Sequence, residues 1–198
     1  MVHTPRQVRI NGPGGTSVRM LTTVMALVVC TMVSGCSLLK GGMPPAHTLS
    51  DPNVFAMLDT VNLHELEVAD LAKHKASSEE VRMFATRMMH EHATMMQDLH
   101  QLAQRINIEP ETPALIADTR REHMEMMQDL RKKSDQDFDH AYLTSQIMMH
   151  EQTIQFIDAT ADSANNFLLR QHLRKMHPAL ESHLSAVKVI QRHPVAQN

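Results

Sequence analysis

The chain has 198 residues, with 19 Lys and Arg against 22 Asp and Glu, a net charge of −3 with His neutral, and two cysteines. That charge balance excludes a sequence-independent nucleic-acid binder, and two cysteines exclude a disulfide scaffold or a Cys-based zinc fold. The length suits one good hydrophobic core, hence one domain.

The first stretch reads as an export signal. Arg6, Arg9 and Arg19 precede an apolar run from Met20 to Val33, which ends at Ser34, Gly35 and Cys36. A basic start, a short apolar core and a small-residue exit make a secretory signal over residues 1–35, and fourteen apolar residues fall short of the roughly 20 that a spanning helix needs. Val33-Ser34-Gly35-Cys36 resembles the lipobox of bacterial lipoproteins. The resemblance implies lipidation of Cys36, and Ser37 behind it resembles the sorting signal for the outer membrane. The expected partner is therefore a membrane, reached through an N-terminal lipid, with the domain facing the periplasm. Removing residues 1–35 leaves 163 residues, 16 basic against 22 acidic side chains and a net charge of −6. Cys30 leaves with the signal, so no free thiol remains.

Residues 36–50 have the Gly and Pro content of a tether. Everything after it points to an all-α domain over residues 51–192: Gly does not recur after Gly42, and long segments lack Pro. Ser50-Asp51-Pro52 supplies a cap and a first-turn proline for a helix over 52–75, with stripe Leu58, Val61, Glu65, Val68 and Ala72. Ser77-Ser78-Glu79-Glu80 predicts a capping box for a helix over 79–106. Its stripe is Val81, Phe84, Met88, His92, Met95, Leu99 and Leu102. Thr112-Pro113 starts a helix over 113–132, in which Glu122 to Leu130 echoes Glu91 to Leu99. A single echo is convergence of amphipathic sequence, since a solenoid needs several units. Helices over 135–161 and 164–191 follow, with stripes Asp139, Leu143, Ile147, His150, Ile154, Ile157 and Leu173, Met176, Leu180, His183, Val187, Ile190. Pro178 cannot donate to the Arg174 carbonyl and predicts a bend. Residues 193–198 form a C-terminal tail.

The 113–132 helix is long enough to carry the chain back along the bundle, so the pattern predicts a ferritin-like four-helix bundle with one extra crossover helix. The core should contain Phe84, Met88, Leu99, Leu143, Ile154, Leu180 and Val187, with Lys73, Lys75, Arg120 and Lys188 outside.

Each of the four long helices places one polar, ligand-type residue on an apolar stripe: Glu65, His92, His150 and His183. Burying such groups without partners costs about 1–3 kcal/mol each, so they should meet. Two readings stand. They form a metal site for a single transition-metal ion, Fe, Zn or Cu, or they form a polar network that fixes helix register. No Glu has a His three residues later, which disfavours a di-iron centre. Met-His neighbours such as Met96–His100 and His172–Met176 suit copper, but Met also fills cores. Catalytic motifs for hydrolases and phosphate loops are absent, so a binding or structural role is expected over a redox enzyme.

Asn62 to Glu67, Val81-Arg82 with Phe84-Ala85, Met88 and His92, Phe138-Asp139 with Ala141 to Leu143, His150, and Pro178 with His183-Leu184 resemble the domain of unknown function 4142 family. That resemblance covers about residues 52–190. It implies a ferritin-like envelope protein and brings no activity with it. A homo-oligomer stays open.

Overall fold

The structure, a computed structural model, describes residues 49–192. The signal 1–35, Cys36, most of the tether and the tail 193–198 lie outside the described residues. Five helices follow in order: α1 (Asp51–Lys75), α2 (Glu79–Arg105), α3 (Ile116–Lys132), α4 (Asp135–Ala161) and α5 (Phe167–Arg192). No strand occurs among the described residues.

Cross-helix contacts fix the directions. His100 meets Asp59 while His92 meets Asn62, so α1 and α2 are antiparallel. Asp98 meets Lys175 while Glu91 meets His183, so α2 and α5 are antiparallel as well. Asp51 at the start of α1 accepts from the Asn165 and Asn166 amides beyond α4, and Asp139 near the start of α4 accepts from the Ser77 and Ser78 amides beyond α1. These caps make α1 and α4 antiparallel, hence α2 and α4 parallel. A parallel pair needs a long return connection. That connection is α3, which runs alongside α1 with His123 against Glu67 and the Lys75 ammonium donating to the Arg131 carbonyl.

Most predicted ends hold within a residue. The exceptions are α3 and α5, which start three residues late. Pro113 to Leu115 form a tight turn in which Ile116 donates to the Pro113 carbonyl. The Asn166 side chain caps α5 by accepting from Leu168 and Leu169. Pro178 sits inside α5 on its exposed side, and the helix continues on both sides of it.

The capping box expected at Ser77 to Glu80 is not there. No side chain of α2 caps its own first turn, because the Asp139 carboxylate takes the Ser77 amide at 2.9 Å, the Ser78 amide at 2.7 Å and the Ser77 hydroxyl at 2.7 Å. In the box the Ser77 amide would donate to the Glu80 side chain, and Asp139 takes that amide together with the Ser77 hydroxyl instead. The box occurs at α1 instead, between Ser50 and Asn53.

Phe84, Met88, Leu99, Leu143, Leu180 and Val187 are buried as expected. Ile154 is only partly buried, packing on the edge of the core. Lys73 and Arg120 are exposed, whereas Lys75 and Lys188 are half-buried. The Lys75 ammonium lies 5.6 Å from the Phe138 ring centre, and Lys188 pairs with Glu151 at 2.6 Å. Their methylene stems cover apolar surface while the charged ends find partners.

One contact between α1 and α3 is unusual. The His64 and His123 rings stack at 3.8 Å with 3° between planes, and both residues are buried. Burial, then the charges of His123 and Arg120, drives His64 down to about 3. A histidine held neutral in the folded chain but protonated in the unfolded one stabilises the fold above its unfolded value, and that stability is lost as pH falls.

Two outcomes follow for stability. Asp139→Ala should cost about 2–3 kcal/mol in urea unfolding, because it frees two amides at once. Stability should also fall as pH drops below about 6.5, by up to about 1.4 kcal/mol per unit from His64 alone, and His64→Phe should flatten that slope.

Candidate metal centre

The four polar residues singled out on the stripes come from four helices, and the structure buries all of them: Glu65 on α1, His92 on α2, His150 on α4 and His183 on α5 are each at most 1% exposed. Three of the four converge. His92, His150 and His183 each offer a ring nitrogen, and these atoms all lie within 4.8 Å of one another. Their ring centres stand 5.2–5.6 Å apart. Glu65 does not join that group. It lies behind His150, with a carboxylate oxygen 3.6 Å from Nδ1.

Hydrogen bonds decide which nitrogens face inward. His150 Nδ1 lies 2.8 Å from the Gln146 carbonyl, one turn back on its own helix. A carbonyl only accepts, so Nδ1 carries the proton and Nε2 keeps a lone pair. His92 Nδ1 lies 3.0 Å from the Asn62 amide oxygen, leaving Nε2 bare; that atom is buried and has no hydrogen-bond partner in the protein. His183 Nε2 donates to the Glu91 carboxylate, leaving Nδ1 bare. His150 Nε2 and His183 Nδ1 are 3.2 Å apart. With both outer protons committed, the two lone pairs face each other with no proton between them.

A guest that accepts electron pairs removes that conflict. An ion bound at about 2.0–2.1 Å to each imidazole sets neighbouring nitrogens about 3.3–3.6 Å apart, close to the 3.2 Å between His150 and His183, while pairs as wide as 4.8 Å would have to close on it. Holding the outer N–H on a carbonyl, an amide oxygen or a carboxylate is also the outer-shell arrangement of metal-binding histidines.

Burial disfavours the charged form of two of the rings. Burial, followed by the charges of His150 and His183, pushes His92 well below the usual imidazole value. Burial likewise lowers His183, against the pull of Glu91. Burial pushes the Glu65 carboxyl up, opposed by His150 and by the Gln146 amide that donates to it at 2.7 Å. Partial burial works to raise Glu91, but hydrogen bonds from Arg87 and His183 hold it below the usual carboxylate range. Glu91 also gives the triad its link to solvent, since its side chain is 34% exposed and pairs with Arg87 at 2.7 Å.

Asn62, Glu91 and Gln146 orient the rings, and sequence reading did not single them out. Asn62 and Gln146 lie three and four residues before Glu65 and His150, on the same helix faces, which was a usable signal. Glu91 was hidden, because it sits about 100° round the helix from His92 and meets α5 instead. The methionines stand mostly as packing: Met57, Met88, Met127 and Met176 are buried in the core. The Met-His pairs stay apart from the triad. His100 is taken up by Asp59, and Met176 belongs to the core layer. A surface cleft of about 670 Å³ between α1 and α3, lined by Glu67, Arg121, His123 and Arg131 among others, includes none of the three histidines.

No curated protein and no solved structure matches the chain. A family model does match, over residues 39–190, and the match spans α1 to α5 up to Ile190. The chain therefore belongs to the family described as Domain of unknown function (DUF4142).

Proposed function

We propose that this is a lipid-anchored envelope protein whose ferritin-like bundle binds or buffers a single transition-metal ion, Fe, Zn or Cu. The carrying observation is the inward turn of three imidazole lone pairs, each fixed by an acceptor behind it. His92, His150 and His183 are the ligands in this reading, and Glu65 stands behind them as a buried carboxyl. The single long crossover through α3, with α2 and α4 parallel, supports the ferritin-like assignment. The lipobox-like exit at Cys36 supports an outer-membrane lipoprotein facing the periplasm. No helix among the described residues is long and apolar enough to cross a membrane.

The bonds from Gln146 to Glu65 and from His92 to Asn62 favour a second reading. In it the buried groups only fix helix register in a structural or stress-related lipoprotein. Imidazoles that served only as a network would be expected to donate to one another. Here the outer acceptors hold the ring protons, and that arrangement favours a cation.

Metal content of protein purified without a His tag separates the two. Adding the bound ion should raise the melting temperature of the wild type and leave His92→Ala unmoved, because a ligand that binds only the folded state stabilises it. If Zn²⁺, Fe²⁺ and Cu⁺ all leave the wild type unchanged while His92→Ala destabilises, the network reading holds. The address is tested separately: wild type should fractionate with membranes into detergent, and Cys36→Ser should stay as precursor or appear soluble.

A further inference from the structure

The three rings are not held alike, and the difference bears on how an ion reaches them; the inference rests on the metal-binding reading above. His92 is retained by Asn62 and His150 by the Gln146 carbonyl, both from residues buried in the bundle. Glu65, the other polar neighbour of the triad, is buried as well. His183 is retained from the edge, by Glu91, whose side chain is 34% exposed.

Glu91 stands in the seam between α2 and α5, and that seam is apolar on either side of it. Met88 on α2 is buried, as are Leu180 and Val187, one turn either way from His183 on α5. At the level of His183 polar side chains close the seam instead. Arg87 donates through Nε to Glu91 at 2.7 Å and through Nη2 to the Ser182 hydroxyl at 3.2 Å. One guanidinium thus ties α2 to α5 next to the outer edge of His183.

These outer bonds and the inner ones differ in what breaking them leaves behind. Freed of one another, Arg87, Glu91 and Ser182 turn to water, so bonds between such partly exposed groups are weak. Freed of its ring, Asn62 or the Gln146 carbonyl would be a buried polar group without a partner, which is costly.

We propose that the ion enters and leaves between α2 and α5, through a door formed by Glu91 and Arg87, with His183 as the ligand that swings. Release of the Arg87–Ser182 bond lets Glu91 turn outward with the His183 ring, which uncovers the inner nitrogens of His92 and His150. Those two rings stay where Asn62 and Gln146 hold them, ready to receive the ion before His183 closes on it. Arg87 is a positioning residue here, acting on the site only through Glu91 and Ser182.

The test loads the full-length protein in detergent with Zn²⁺, and anaerobically with Fe²⁺ and Cu⁺, following uptake and release to excess chelator by stopped flow. Ser182→Ala and Arg87→Ala should each speed uptake and release together by about tenfold, as loss of a gating contact does. Lys175→Ala, which breaks the α2–α5 pair with Asp98 about two turns away, should leave both rates unchanged. A second readout needs no metal. Diethyl pyrocarbonate, which labels imidazole nitrogens, should label His183 of the metal-free chain before His92 and His150, and faster in both latch variants. Circular dichroism checks that the variants stay helical, and the labelling order in the wild type requires no variant. Unchanged rates in both latch variants, with an ion still bound, would overturn the door and leave the site standing. So would equal acceleration by Lys175→Ala, or labelling of His92 or His150 ahead of His183. Binding of none of the three ions would remove the site and the door with it.

Discussion

A neutral imidazole has one proton to give, and where it gives it decides what its other nitrogen can do. In this bundle each of the three central rings gives its proton outward, to the Gln146 carbonyl, the Asn62 amide oxygen or the Glu91 carboxylate. The inner nitrogens are then all acceptors, brought to one level by helices that burial has already locked together. Every feature of the site depends on those three outward bonds. Were Asn62 or Glu91 to let go, its ring could turn and donate to a neighbour, and the cluster would become an ordinary polar network.

The scaffold serves this by holding four helices in fixed register at both ends. Asp51 ties the α4–α5 turn to the start of α1, and Asp139 ties the α1–α2 turn to the start of α4. Each carboxylate satisfies two amides that would otherwise be left open at the end of a hairpin, so sliding α1 against α4 would cost several charge-assisted bonds. Two hydrophobic layers fill the bundle, one around Phe55, Leu99, Ile157 and Leu173, the other around Phe84, Met88, Phe138 and Tyr142. The histidines belong to neither cluster. A polar level among apolar layers is a costly thing to build, and the outward bonds offset much of the desolvation.

Helix number, approximate ends and the inward residues were legible because the stripes are long and regular: Val81, Phe84, Met88, His92 and Leu99 recur at helical spacing and all are buried. Direction was legible too, through the length of the 113–132 segment. What escaped was anything decided between helices. Ser77 to Glu80 looks like a local capping box, yet Asp139, some sixty residues on, takes those donors. Glu65 shares the stripe logic of the three histidines, but the position of its carboxylate is set by Gln146 on α4, which draws it behind His150 rather than toward the ring nitrogens inside. Periodicity tells which face a side chain leaves from. It says nothing of which of two neighbours a flexible carboxylate will prefer.

The two carboxyls that touch the triad differ in a way that shapes how it would work. Glu91 is partly in solvent and compensated by Arg87, so it holds His183 without adding a net charge to the interior. Glu65 is cut off from solvent, and its neighbours are an amide and a ring. Burial favours the neutral form of that carboxyl, opposed by His150 and by the Gln146 amide. In the metal-binding reading, an ion on the inner nitrogens would sit where the three lone pairs lead, with Glu65 behind His150. Three of the four stripe residues would then be ligands, and the fourth, Glu65, would keep its place through the Gln146 amide rather than through the ion.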